Sequence, residues 1–152
     1  MPTKQPQGST LSATAIAQVN ENTLSADLKG GISDKFKSDS VAVKLIDQHL
    51  ELVAVQTVWE LLPPKQHKIV LRIKESLKAG NHSFGTDNDE IVATYFTPNQ
   101  APEVFKAIRG TLDLEFDPTE DLFVGSLTFE AVGIGSPDKK VSVENGQFVW
   151  RK

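Results

Sequence analysis

Asp113, Glu115 and Asp117 alternate with Leu112, Leu114 and Phe116. In an extended strand those acids share one face at intervals of about 6.6 to 7 Å, and Glu130 joins the same polar face from the next segment. Glycoside hydrolysis uses two carboxyl groups about 5 to 9 Å apart, one to protonate the leaving oxygen and one as nucleophile or base. The wet side of an antiparallel sheet produces the same pattern without any chemistry. Sugar clefts also want aromatic platforms, and only 7% of this chain is aromatic. The four acids are therefore read as a solvent-exposed face. A glycan-acting hydrolase is the least favoured function, and no catalytic residue is assigned.

The other chemistry-bearing residues are dispersed. His49, His67 and His82 lie 18 and 15 residues apart, without the short spacing that brings zinc ligands together, and they read as surface residues. Asp87–Glu90 and Asp117–Asp121 carry oxygens that suit calcium, but neither follows the EF-hand spacing. Asp and Asn build ordinary polar turns by bonding their own backbone. No Gly-x-Ser-x-Gly elbow presents a serine, and no lysine and helix follow Gly30-Gly31 or Gly133-Ile134-Gly135 as a phosphate loop requires. With no cysteine in the chain, thiolate metal sites, cysteine nucleophiles and disulfides are excluded. The expectation is a protein without metal or cofactor, and not an enzyme.

Binding is the class that survives. Trp59, close to Pro63-Pro64, and Trp150, near the end of the last apolar segment, are candidates for exposed contact, while Phe84, Tyr95 and Phe96 are candidates for lining a cavity. Large aromatics at strand positions also serve as core plugs, which is the plainer role for both tryptophans. The partner is left as an unknown protein or a small apolar ligand. Charge bounds it further: 16 basic against 20 acidic residues give a net −4, and the longest basic pairing is Lys139-Lys140. Nucleic-acid binding draws on clustered Lys and Arg, so that partner is excluded. The longest apolar run, Leu52-Val53-Ala54-Val55, is far short of the about 20 residues of a transmembrane helix. Behind Lys4 no apolar segment follows, so no signal peptide is visible. The chain reads as cytoplasmic, or as exported or envelope-associated if a signal was removed.

Positioning any of these residues falls to strands. A period of two dominates the apolar pattern, and successive strand side chains point to opposite faces. Segments 110–117 and 125–131 form a hairpin, and 141–150 adds a third strand to make a C-terminal meander. Asn145-Gly146 inside that last segment suits either a two-residue hairpin turn or a bulge that moves the inward face from Val141/Val143 to Phe148/Trp150, and the bulge is preferred. Upstream strands are read at Val41–Ile46, Gln48–Trp59, His67–Lys74 and Glu90–Phe96, with short edge strands at Leu11–Ala17 and Thr23–Leu28. Asp47-Gln48 is a tight reversal. Ser33–Ser40 reads as a loop, Pro98–Lys106, the one weak helical candidate, as a loop or a single turn, and Ser76–Gly85 as a loop with an extended piece at His82–Phe84. Residues 1–8, polar with two prolines, read as a disordered tail, and 9–152 as one β domain.

About seven to nine short strands with almost no helix predict an all-β antiparallel sandwich. The alternative is a closed up-and-down, lipocalin-like barrel, which would suit the carrier of an apolar ligand.

The C-terminal part also resembles a family of small, uncharacterised bacterial all-β proteins, often exported or lipid-anchored. The likeness lies in Gly110-Thr111-Leu112-Asp113-Leu114-Glu115-Phe116, Gly125-Ser126-Leu127-Thr128-Phe129-Glu130-Ala131 and Val141-Ser142-Val143-Glu144-Asn145-Gly146-Gln147-Phe148. It is supported by the Tyr-bearing Ile91–Phe96 and by His82-Ser83-Phe84-Gly85. The resemblance covers about residues 90–150 and implies an all-β domain of unknown function with no catalytic residue to transfer. The lipobox and export signal of that family are missing here. Together these readings give a non-enzymatic β-sandwich that binds a partner, through an edge strand or the 76–89 loop.

Overall fold

The computed structural model describes residues 22–30, 33–60, 63–86, 90–98, 103–117 and 122–151. Within them, ten strands form one antiparallel sheet and no helix occurs. They are β1 (Thr23–Lys29), β2 (Lys35–Lys37), β3 (Ser40–Ile46), β4 (His49–Val58), β5 (Lys65–Lys74), β6 (Gly80–Gly85), β7 (Ile91–Phe96), β8 (Val104–Asp117), β9 (Leu122–Gly133) and β10 (Ser136–Arg151). The spatial order is β2-β1-β10-β9-β8-β7-β5-β4-β3, and β6 pairs with β8 off that path.

Alternation sets the faces. In β5, His67, Ile69, Leu71 and Ile73 are buried, while Lys68, Val70 and Arg72 between them are half-exposed. In β8, Leu112 and Leu114 are buried and Thr111, Asp113 and Glu115 are exposed. Full burial of each such Leu or Ile contributes about 1.5–3 kcal/mol, so a register slip of one residue, which would turn these side chains to water, is strongly opposed.

The sheet folds at β8. Val104–Lys106 pair with β7, whereas Arg109–Leu114 pair with β6, and the β8–β9 register shifts between Ala107 and Arg109. An extra residue of this kind bends the strand and raises its twist. Two leaves result, β7-β5-β4-β3 and β6-β8-β9-β10-β1-β2, whose apolar faces share one core: Leu52, Ile69, Leu71 and Tyr95 from the first, Leu24, Phe36, Leu127 and Trp150 from the second. This is the antiparallel two-layer arrangement expected from the sequence.

On the opposite side the leaves are joined by the chain itself. Ser38 N–H donates to Leu24 O in β1 at 2.9 Å, and Asp39 N–H donates to Val55 O in β4 at 2.7 Å. β2 and β3 stand at the two ends of the ladder and do not pair with each other, so the sheet is not closed into a barrel.

Several expectations change in detail. Ser33–Ser40 is not a loop throughout, because Phe36 is 1% exposed and carries β2 into the core. Pro98–Lys106 gives its last three residues to β8, and the 76–85 segment gives a six-residue strand, β6. Asn145-Gly146 is a bulge inside one strand: Asn145 has φ 55°, the β9–β10 register shifts between Val143 and Gly146, and Phe148 and Trp150 turn inward beyond it. Asp47 and Gln48, both at positive φ, make the β3–β4 turn. Residues 1–8 and the Leu11–Ala17 strand lie outside the described residues.

Candidate functional site

The five aromatics named from the sequence do not meet. Trp59 is 69% exposed at the end of β4. Phe96 is half-buried on the outward side of β7, with Lys68 Nζ 5.6 Å from its ring centre. Phe84, Tyr95 and Trp150 are core residues. Trp150 lies in a ring series running from half-open Phe116 through Phe123 to Trp150 and Phe148, with centroids 4.6, 5.1 and 4.7 Å apart. Its Nε1 is buried without a hydrogen-bond partner among the described residues. Of the acids, Asp113 and Glu115 are exposed and Glu130 is half-exposed. The side chain of Asp117 lies outside the described residues, as do most of the two candidate calcium segments.

The leaf carrying those acids bears a concave feature on its outer side. Ser83, Thr111 and Thr128 stand directly opposite one another on β6, β8 and β9, and the two threonine hydroxyls are 2.9 Å apart. The neighbouring row is Gly85, Arg109, Glu130 and Ser142. There Arg109 Nε donates to Glu130 Oε1 at 2.7 Å, and Nη2 contacts the same oxygen. Glu144, 3.4 Å from Lys29 Nζ, closes the far side. Short hydroxyl side chains set among long charged ones leave an open groove of about 610 Å³ across the four strands. Gly110 permits the tight packing beneath it: a Cβ there would stand 2.5 Å from both the Phe84 ring and Thr128 O. Asp113, opposite Ser126, and Glu115, opposite Val124, lie on this face but do not line the groove.

A second polar constellation is buried. His67, expected at the surface, is 0% exposed. Its Nδ1 lies 2.8 Å from Tyr95 Oη and its Nε2 2.8 Å from Gln56 Oε1. The amide oxygen only accepts, so Nε2 carries the proton and Nδ1 accepts from the tyrosine O–H. Burial holds the His67 pKa down at about 4, and the nearby Asp39 carboxylate acts in the opposite sense. The ring is therefore neutral near pH 7. His49 and His82, half-exposed, bond to the carbonyl oxygens of Asp47 and Lys78.

The groove was not visible from the sequence because it depends on register. Small hydroxyl residues at outward positions of both hairpin arms were a signal, but their alignment with Ser83 requires β6, which read mostly as loop. His67 carried a signal in its parity with Ile69, Leu71 and Ile73. Neither a family model, nor a curated protein, nor a solved structure matches this chain.

Proposed function

We propose that this chain is a non-catalytic binding module that acts by surface contact, with the groove across β6, β8, β9 and β10 as its contact site and an extended polar segment of another protein as its occupant. The observation that carries this reading is the groove of about 610 Å³ on the outer face. Hydroxyls at Ser83, Thr111, Thr128 and Ser142 each donate and accept, which suits a chain with alternating N–H and C=O groups. An apolar ligand there would cover those hydroxyls and the Arg109–Glu130 pair without replacing their water, which costs free energy. The carrier alternative is disfavoured by the interior, where Tyr95, Trp150, Phe36 and Phe148 are almost fully buried in positions that a ligand cavity would need free.

The test is affinity capture from the source cells with three baits: the native chain, Thr128→Arg, which fills the groove, and Val70→Arg, which alters the outer side of the other leaf. A partner held by the native chain and by Val70→Arg but lost with Thr128→Arg is the expected result. Identical capture by all three folded baits would remove the groove from the proposal.

A further inference from the structure

The residues between β2 and β3 are bonded alternately to the two leaves. Ser38 serves β1, donating its N–H to Leu24 O and accepting from Leu24 N–H at its hydroxyl, 3.0 Å away. Its neighbours serve β4. Lys37 N–H donates to Gln56 Oε1 at 3.0 Å, and Asp39 N–H donates to Val55 O at 2.7 Å. Asp39 Oδ2 in turn accepts from Thr57 N–H at 2.6 Å. Gln56 Oε1 thus takes two donors, the backbone of β2 and the ring N–H of His67. The Phe36 ring, 4.8 Å from the imidazole, packs the same spot from β2.

We infer that this seam is an acid-operated latch: uptake of a proton by His67 releases the Lys37–Asp39 segment from β4 while the rest of the sheet stays folded. In the closed seam the imidazole accepts from Tyr95 and donates to Gln56, and a second ring proton would place two donors against each other unless the tyrosine O–H turned away. Its charge would also stand in the core without water. In the opened seam the ring meets solvent and binds the proton at the ordinary pH for histidine, so acid favours the open form. The groups facing the ring are Asp39 from the β2–β3 link, which favours the charged form, the Tyr95 phenol from β7, and the neutral amide of Gln56 from β4. Lys35 and Lys37 of β2 are exposed, and Lys65 and Lys68 of β5 are half-exposed. Opening breaks only a few bonds in a short segment, whereas β9 is paired along both edges, so the seam belongs to the low-stability end of the molecule.

Amide hydrogen exchange on the full chain tests this, read as protection factors between about pH 7 and about pH 4.5. Lys37 and Thr57 should lose protection by about tenfold per pH unit below about pH 6.5, while the β9 amides of Leu127 and Phe129 stay protected. His67→Gln keeps a polar side chain that does not titrate, and should make protection at Lys37 and Thr57 independent of pH. Tyr95→Phe removes the donor that holds Nδ1 as an acceptor in the closed seam, and should lower protection at Lys37 and Thr57 near pH 7 and make the acid-driven loss level off at a higher pH than in the native chain; it stands as the test if His67→Gln does not fold. Flat protection in the native chain, loss at Lys37 and Thr57 only in step with Leu127 and Phe129, or an unchanged profile in Tyr95→Phe would overturn the latch.

Discussion

On the outer face of β8 and β9, Thr111 and Thr128 share a hydrogen bond that water replaces freely; at the seam, His67 and Tyr95 meet where burial removes that option. Both constellations are built from polar groups on neighbouring strands, and depth separates them. In the groove, losing one partner returns the other to solvent at little cost. In the seam, a lost partner is not replaced by water, and a hydrogen bond left unmade at a buried group costs about 1–3 kcal/mol. The same chemistry is thus available for recognition on one side of the sheet and for holding the fold together on the other.

The sharpest way to break this comparison is His67→Ala. It leaves a cavity beside Phe36 and takes one hydrogen bond each from buried Tyr95 and from Gln56, and chemical denaturation should show a loss of about 4 kcal/mol. A loss below about 1 kcal/mol would mean that depth does not distinguish the two sites. Acid comes next. The folded pKa of His67 is lowered to about 4 from the ordinary 6.5, so the unfolded chain binds the proton first. This contribution is intact above about pH 6.5 and is lost as pH falls towards 4, by about 3 kcal/mol. Urea titrations of the native chain and His67→Gln across that window measure it as the difference between their slopes.

Gly125→Ala is intermediate. Its Cβ would meet Asp113 O and stand 2.5 Å from the Phe148 ring, and thermal or urea unfolding should report about 2 kcal/mol of overpacking. The smallest effects belong to the groove. A double-mutant cycle on Arg109→Gln and Glu130→Gln should give a coupling within about 1 kcal/mol that fades in salt. Thr111→Val with Thr128→Val should change stability by about 0.5 kcal/mol or less while abolishing partner capture.

Much of the fold was legible because it is written in parity. Leu112, Leu114 and Phe116 against Asp113 and Glu115 state a strand whatever the surroundings, and Asn145-Gly146 announces a change of parity that Phe148 and Trp150 then follow. Elements that exist through tertiary contact were not legible. β2 is three residues long, too short for alternation to register, and exists because Phe36 has a core to enter. The start of β8 was hidden in a proline-bearing stretch and is held by pairing with β7. Asp113 and Glu115 are exposed on the outer face of β8. The groove beside them needed the shift between Ala107 and Arg109 and the alignment of β6, which arise only when distant strands meet. His67 was misjudged because its residue type suggested the surface while its position in β5 placed it inward.

The pairing of β1 with β10 sets an order of events during synthesis. Thr23 lies opposite Val149, and Asn22 Oδ1 accepts from the backbone N–H of Arg151. β1 therefore leaves the ribosome more than a hundred residues before its partner exists, and so does β2, whose one ladder among the described residues is with β1. The β3-β4-β5-β7 leaf is built from strands close in sequence and has its pairings available early. The other leaf waits for the last strand, with Leu24, Leu28 and Phe36 exposed meanwhile. Such late closure of distant strands is slow and open to aggregation, so the chain's dependence on chaperones should be concentrated in β1 and β2.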